Sequence, residues 1–555
     1  MSKNLSHLSG RKGLFENLFE HVGNENAKEG FLSNETISQI AETYLMGTST
    51  IFGAASFYDF TRNENEGKKI YVCNGSACLT AGTQKELKSK IGKQFEEIEI
   101  GEMCCLGRCH ENAAFHFQGS NYSGSAIQEL EQIKKTGTKF RDKYIVKHRG
   151  HCILTNLEFD LNEARNRVEL AFQKPKEKIL SEIKLSGLRG RGGAGFPISI
   201  KLEACSNAPG PRKFIVCNAD EGDPGSYSDR YIMEHQPFLL LIGMLIAGFV
   251  TGADRGVIYI RAEYPESVER IQEALEEFRR LGFTGESIFN TDFNFEFKVI
   301  KAQGAYICGE ETALLSSIEG QRAEVRVRPP FPVQEGLFRK PTVVNNVETL
   351  ANLYFILKDG GTSYASIGTQ KSTGTKLMSL DSYFNKPGIY EVDMGTPLHD
   401  VVYQLGGGFH SKVKALHIGG PLGGLVPIHK IEELTVDFES FASNGFMLGH
   451  ASIVSVPDNF PMIEYLEHLF AFTAHESCGK CFPCRIGSTR GKEMLQKAQN
   501  DSSYKIDIEL LKDLLDTMKR GSLCALGGGI PLPVYNALEY FGEELKPFLK
   551  MKSNA

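Results

Sequence analysis

Three cysteines with two residues between neighbours, Cys478, Cys481 and Cys484 in HESCGKCFPCRIG, followed at a distance by Cys524 in GSLCALG, constrain this chain more than any other feature. Chance would place cysteines at both following positions only about once in two thousand starting cysteines, so the spacing is a signal. Such a loop can turn its thiolates onto three corners of a cube while its backbone N–H groups point at the sulfides, and the distant cysteine fills the fourth corner. This favours a [4Fe-4S] cluster over structural zinc, which more often uses two separated Cys-x-x-Cys pairs. A second set comprises Cys73 and Cys78 in CNGSAC and Cys105 and Cys109 in CLGRC. Each pair follows a predicted strand, so both loops can meet at one edge of a small α/β layer and offer four thiolates to a [2Fe-2S] rhomb. A zinc knuckle is the alternative, and Cys104 competes with Cys105 for its place. Cys152, Cys205, Cys217 and Cys308 stand alone and read as small buried side chains.

Composition narrows the setting. The chain has 555 residues, several times the usual domain size, so three to five separate cores are expected. Its 62 basic and 68 acidic residues leave a net charge of -6 with no long block of either sign, which argues against nucleic acid and against a polybasic membrane anchor. The start, MSKNLSHLSGRKG, lacks the apolar core of a signal peptide, and the longest apolar run, Phe238 to Val250, is too short to span a bilayer. The expectation is a cytoplasmic protein whose thirteen cysteines serve ligation rather than disulfides.

Along the chain, residues 1–65 read as a short helical region, with ETISQIAETYLMG an amphipathic stretch capped by Asn34. From Lys68 a strand (KKIYVC), helix (TQKELKSKI), strand (EEIEI), strand (AAFHF) and helix (AIQELEQIKK) alternate as in a small α/β layer. A polar connector leads to a larger α/β region with strands KFIVCNAD and GVIYIRAEY and helices Phe238 to Val250 and Glu266 to Leu281, for which doubly wound topology is expected. Residues near 372–434 are rich in glycine and short strands, and the chain beyond Pro461 is mainly helical.

Gly187 to Pro197, GLRGRGGAGFP, holds five glycines and two arginines, which lets backbone approach a phosphate while Arg189 and Arg191 offset its charge. Acidic clusters accompany it: Asn218, Asp220, Glu221 and Asp223 in CNADEGDPGS, and Glu310 and Glu311 in GAYICGEETALL. Helix N-caps and first-turn acids are the equally weighted alternative for these.

In order, GLRGRGGAGFP, NADEGDPGSYSDRYI, GAYICGEETALLSSIEG, KPTVVNNVETLANL and HESCGKCFPCRIG resemble the flavoprotein subunit of respiratory complex I and its soluble relatives, from about residue 180 to the C-terminus. The preceding CNGSAC and CLGRC segment, with IFGAASFYDF, resembles the [2Fe-2S] subunit of complex I, and the fusion of both is similar to the diaphorase flavoprotein of NAD-reducing [NiFe] hydrogenases. The resemblance implies an α/β multidomain chain: a helical region over 1–65, a thioredoxin-like [2Fe-2S] domain over 66–140 and a connector over 141–180. These precede a Rossmann-like FMN- and NAD-binding domain over 181–370, a small β-grasp-like domain over 371–440 and a helical [4Fe-4S] domain over 441–555.

The resemblance further implies that Gly190, Gly192 and Lys201 hold the FMN phosphate end, with Asn218, Asp220, Tyr306, Gly309, Glu310, Asn345 and Asn346 lining the rest and Arg191, Gly193 and Glu221 also among the cofactor-binding residues. Asp220 and Glu310 are the candidate catalytic pair; NAD(H) would stack on Phe196 and Phe331, with Glu311 and Asp223 near its sugar hydroxyls and Arg328 among the nucleotide contacts. Asp223 stands where a Glu is usual in complex I and Arg328 where a Lys is usual, while GGPLGGL from Gly419 is closer to the soluble hydrogenase and formate dehydrogenase branch. The implied partners are an iron–sulfur electron-transfer subunit and a hydrogenase module. The same module in a NAD-dependent formate dehydrogenase or in complex I is the alternative, as is a non-catalytic assembly module with structural metal sites.

Overall fold

The computed structural model describes residues 14–140, 142–156 and 158–550; the first thirteen residues of the expected helical region lie outside them. Three α-helices, Leu18–Glu29, Asn34–Tyr44 and Thr48–Ala55, open the described chain. Ser33, not Asn34, caps the second: its hydroxyl accepts from the Thr36 N–H at 3.1 Å, because the cap must keep extended backbone while Asn34 is already helical.

The next layer is a four-stranded sheet of order β2-β1-β3-β4, with β1 Ile70–Cys73, β2 Ile100–Met103, β3 Phe115–Phe117 and β4 Ser120–Tyr122. β1 and β2 run parallel with Cys73 opposite Met103, so the loops that leave their C-terminal ends emerge side by side. β5, Ile145–Arg149, falls in the stretch expected to be connector, and it pairs in parallel with a strand more than two hundred residues away. The connector's remaining length forms helices Leu161–Phe172 and Lys176–Ser186.

The central sheet is parallel, in the order β8-β7-β6-β9, with β6 Phe214–Ala219, β7 Arg255–Ile260, β8 Glu296–Lys301 and β9 Thr342–Asn346. The central strands β6 and β7 read as near-continuous buried runs because helices cover both faces, among them Pro237–Thr251, which is buried along almost its whole length, while the edge strand β8, EFKVIK, is only partly buried. No single helix among the described residues is long and apolar enough to cross a membrane. The helix Ser228–His235 that precedes it meets it at 95°.

A six-stranded mixed sheet follows, β13-β12-β14-β10-β11-β5, built from β10 Thr375–Leu380, β11 Gly388–Asp393, β12 Val413–Ile418, β13 Gly424–Pro427 and β14 Ser452–Pro457. It draws β5 from the connector and β14 from beyond residue 440, so this layer is assembled from more of the chain than its glycine-rich core suggests. The helices Met462–Glu476, Phe482–Asn500 and Ile508–Gly521 make the C-terminal bundle.

Asp142 ties the thioredoxin-like layer to the central domain. It pairs with Arg108 at 2.5 Å and with Arg230, two guanidiniums that are 3% and 2% exposed at their side chains. Asp142→Ala removes the carboxylate that the two cations share, while Glu266 stays on Arg108 at 3.3 Å and Glu234 on Arg230 at 3.0 Å, and is expected to cost about 1.5–3 kcal/mol. Thermal unfolding followed by loss of the [2Fe-2S] absorbance checks it; an unchanged midpoint would show that the pair is not needed to hold the layers together.

Candidate functional site

Two thiol sets and one crevice converge around the loop that follows β6. In the first set, Cys105 Sγ lies 3.3 Å from Cys109 Sγ, and Cys73 touches the thiols of both Cys105 and Cys78. Contact with Cys109 and Cys73 pulls the Cys105 thiol well below its ordinary value, and contact with Cys105 pushes Cys73 and Cys109 up. The Gly107 N–H donates to Cys105 Sγ at 3.4 Å, and the Gly225 N–H, from the central domain, donates to Cys109 Sγ at 3.3 Å. Cys104 is turned out of this set and lines a cavity of about 520 Å³ with His475 and Glu476, while its carbonyl accepts from Arg261 at 3.0 Å. Four converging thiols with backbone donors on the sulfurs fit a [2Fe-2S] cluster, with Cys73, Cys78, Cys105 and Cys109 as its holders.

In the second set Cys481 is the N-cap of helix Phe482–Asn500, Cys484 lies in that helix's first turn, and Cys524 caps the short helix Ala525–Gly529. Burial pushes the Cys484 thiol up to about 11, the neighbouring Cys481 and Cys478 thiols adding to it and the bond to Ser477 acting against it. Cys524 is pushed up to about 12 by burial, with Glu310, Cys484 and Cys478 adding to it. Gly527 makes the approach feasible, since a Cβ there would sit 2.6 Å from the Cys484 Cβ. Buried thiols that resist ionisation need a polycationic group to become thiolates, which a [4Fe-4S] cluster supplies.

The crevice follows from topology. β7 and β8 lie on one side of β6 and β9 on the other, so the winding reverses between β6 and β9 and their C-terminal ends part. Register places Cys217 opposite Asn345 and Asn218 opposite Asn346. The glycine loop closes on this end: a Cβ at Gly192 would stand 2.9 Å from the Asn346 Cβ, and the Gly190 N–H donates to the Phe196 carbonyl at 2.8 Å. Asn218 Nδ2 donates to the Gly309 carbonyl at 2.7 Å, and Lys201 Nζ donates to the Val344 carbonyl at 3.1 Å. Asp220 Oδ2 and Asn345 Nδ2 are buried without a partner, and burial holds the Asp220 carboxyl well above the usual range. An orphaned acceptor and an orphaned donor at a switch-point crevice fit the polar edge of FMN.

Several expected site residues have other occupations. Glu310 is the N-cap of helix Glu311–Ile318, accepting from the Thr312 and Ala313 N–H groups, each at 2.9 Å. Glu221 is buried and accepts from Ser226 Oγ at 2.6 Å and from the Asp229 and Arg230 N–H groups, so it braces the following helix. For these two acids the capping alternative describes what the carboxylates touch. Asp223 accepts from the Tyr306 hydroxyl at 2.6 Å. Arg189 pairs with Glu439 at 2.6 Å, and Arg191 is fully buried, donating to the Tyr364 hydroxyl at 3.1 Å, with its Nε and Nη1 unpartnered. Glu311 is held between Lys201 at 2.9 Å and Arg328 at 2.8 Å. Gly193 abuts the Gly449–His450 backbone, and Phe196 and Phe331, 46% and 50% exposed, stand as uncovered aromatic faces.

Three contributors have no sequence signature. Glu476 accepts from the Tyr306 N–H at 2.8 Å, two residues before Cys478. Arg261 donates to the Glu221 and Cys104 carbonyls and pairs with Glu263, joining the flavin-side loop to the first thiol set. His450 reaches the same loop from the small β layer.

The same modules occur in known proteins. Residues 183–355 match the Nuo51 FMN-binding domain, residues 464–547 the NADH-ubiquinone oxidoreductase-F iron-sulfur binding region, and residues 11–136 the thioredoxin-like [2Fe-2S] ferredoxin. The HndC component of the NADP-reducing hydrogenase of Solidesulfovibrio fructosivorans is 40% identical over 66% of this chain and 75% of its own. The alpha subunit of the NAD-reducing hydrogenase HoxS of Cupriavidus necator is 30% identical over 93% of this chain and 89% of its own. A component of the NADH-quinone oxidoreductase of Escherichia coli is 38% identical over 67% of this chain and 85% of its own. The crystal structure of a NAD+-reducing [NiFe]-hydrogenase in the H2-reduced state superposes with a TM-score of 0.85 at 27% identity, covering 97% of this chain and 94% of that one.

Proposed function

Because the chain belongs to the family of complex I-type NADH dehydrogenase flavoprotein subunits, an NAD(H) oxidoreductase family with FMN, [2Fe-2S] and [4Fe-4S] domains, we propose that it is the diaphorase subunit of a cytoplasmic NAD-reducing [NiFe] hydrogenase. The observation that carries this choice is coverage: the HoxS alpha subunit aligns over 93% of this chain, whereas the E. coli relative aligns over 67%. The thioredoxin-like layer and the flavoprotein share one chain here and are joined by Asp142, Arg261 and the Gly225 N–H.

When bound, FMN exchanges a hydride equivalent with a nicotinamide and single electrons with iron–sulfur clusters. The chain's residues then divide the work. The Gly190 to Gly193 loop, Asn346 and Lys201 hold the phosphate end, while Asp220 and Asn345 offer their free polar atoms to the ring edge. Glu310 acts by fixing the helix start beneath the crevice, and Phe196 and Phe331 offer faces for the dinucleotide. The exit for electrons is through the Cys478, Cys481, Cys484 and Cys524 set. This reading is supported by Cys524, whose thiol feels the charge of Glu310, and by Tyr306, whose hydroxyl feels Cys524.

The subunit purified without oxygen is expected to contain one FMN, one [2Fe-2S] and one [4Fe-4S] cluster, and its visible absorbance should bleach on addition of NADH. Metal, sulfide and flavin analysis tests this. Stoichiometric zinc would overturn the cluster reading, and a formate dehydrogenase recovered with the native complex would overturn the hydrogenase assignment.

A further inference from the structure

One buried residue of the small β layer acts on the flavin-binding end of the central domain, and neither the glycine loop nor the acidic clusters account for it. His450 lies just before β14 and is 5% exposed. Its Nδ1 meets Ser226 Oγ at 2.7 Å, and its Nε2 meets Asp229 Oδ2 at 3.2 Å, with Glu221 Oε1 3.8 Å away. Asp229 is 1% exposed; its Oδ2 also accepts from Asn346 Nδ2 at 2.5 Å, and its Oδ1 accepts from the Glu348 N–H at 3.3 Å. The chain of contacts therefore runs His450, Asp229, Asn346, and Asn346 packs directly against Gly192 of the phosphate-loop candidate. A second contact is independent of the first: the His450 backbone nitrogen lies 3.9 Å from the position of a Cβ on Gly193 in that same loop.

The charges make this arrangement consequential. Asp229, Glu221 and Asp223 are acids on the elements around the ring, and two further cations act there: Lys376, paired with Glu348, and Arg261, which bonds the Glu221 carbonyl and acts on Asp223. Burial acts against a charged imidazole, but Asp229 and the bond to it reverse this, and the His450 pKa is pushed up to about 9. The ring therefore carries its proton at neutral pH. Without that cation, Asp229 would keep its bonds from Asn346 Nδ2 and the Glu348 N–H but lose the one cation that touches it, beside the loop that is to receive an anionic phosphate.

We propose that His450 is a positioning residue for FMN: clamped between Ser226 and Asp229, it neutralises Asp229 and sets the Asn346 amide, so that the glycine-loop end of the crevice accepts a phosphate. This rests on the placement of the FMN phosphate at that end. It separates FMN from riboflavin, which has the same ring and no phosphate.

The test uses full-length protein with its clusters intact and its flavin removed, titrated with FMN and with riboflavin by flavin fluorescence. His450→Gln keeps a hydrogen-bonding side chain and removes the charge. FMN affinity should fall on the order of tenfold to a hundredfold, the size of one partly screened charge contact, while riboflavin affinity stays within about twofold. Adding Asp229→Asn to His450→Gln removes the charge that His450 had offset and should recover most of the FMN affinity, a coupling that general destabilisation would not produce. Equal loss for both flavins, unchanged FMN affinity, or no recovery in the double variant would overturn the proposal. Asn346→Ala separates the phosphate placement from the role of His450: if it leaves FMN affinity unchanged, the placement itself is wrong. If it weakens FMN while His450→Gln does not, the placement stands and only the role of His450 falls.

Discussion

Cys484→Ser should leave NADH-driven reduction of flavin-accessible dyes near the wild-type rate while electron delivery to the partner subunit collapses. Cys484 sits in the first turn of its helix, 3.4 Å from Ser477 Oγ and closely overlaid by Gly527. Serine fits that space, so the backbone has no reason to move. It is nonetheless a harder and poorer ligand for an iron–sulfur centre than thiolate. Loss of partners that merely orient a ligand costs about 10–100-fold in metal affinity or activity, so loss of a ligand should cost at least that in delivery. The crevice residues lie on β6, β9, the glycine loop, the helix that carries Lys201 and the loop near Gly309, whereas Cys484 contacts Ser477, Ser488 and Gly527. Dye reduction and partner reduction, measured on one preparation beside the [4Fe-4S] EPR signal, check the split. Full delivery with the signal gone would mean that electrons leave the flavin elsewhere. Cys73→Ser should have the smaller effect, because in its set it is Cys109, not Cys73, that receives the Gly225 N–H of the central domain.

What could be read from the residues alone was local. The two cysteine spacings, the glycine loop and the apolar runs of β6 and β7 are patterns within a few residues, and each forms where its own chemistry directs. Contacts across hundreds of residues left no such trace. β5 looks like polar connector because its exposed Lys147 and His148 hide a strand that is completed only by β11. Arg191 looks like a phosphate ligand because it stands between glycines, yet its guanidinium finds Tyr364 and Thr373, more than 170 residues on. Glu221 and Glu310 show a different limit. A capping carboxylate and a ligand carboxylate have the same composition, and only the neighbouring N–H groups distinguish them. His450 is a single histidine in LGHAS, and nothing around it in the sequence announces Asp229, 221 positions away.

The same neighbours change what Glu311 should do to nucleotide choice. NADP differs from NAD by a 2′-phosphate, and a carboxylate facing the adenosine ribose accepts a hydrogen bond from the 2′-OH but repels the phosphate. Here Glu311 also occupies two cations, Lys201 at 2.9 Å and Arg328 at 2.8 Å, all three side chains being no more than 31% exposed. Glu311→Gln therefore removes a repulsion and releases Arg328 at once, Lys201 being committed to the FMN phosphate end. One partly screened charge contact is worth about 1–3 kcal/mol, or roughly ten- to a hundredfold, so the ratio of kcat/KM for NADPH over NADH should rise toward the upper end of that range. Arg328 sharpens the effect, since its planar fork suits a phosphate better than the lysine usual at this position in complex I. Adding Arg328→Ala to Glu311→Gln should then return much of the gain, with NADH use little altered. The measurement is kcat/KM for both nucleotides with an artificial acceptor at fixed ionic strength, because salt screens these contacts. That HndC, at 40% identity, belongs to an NADP-reducing enzyme shows that the family does not decide the preference by fold alone. An unchanged ratio in Glu311→Gln would place Glu311 away from the ribose and leave its two ion pairs as braces of the helix start.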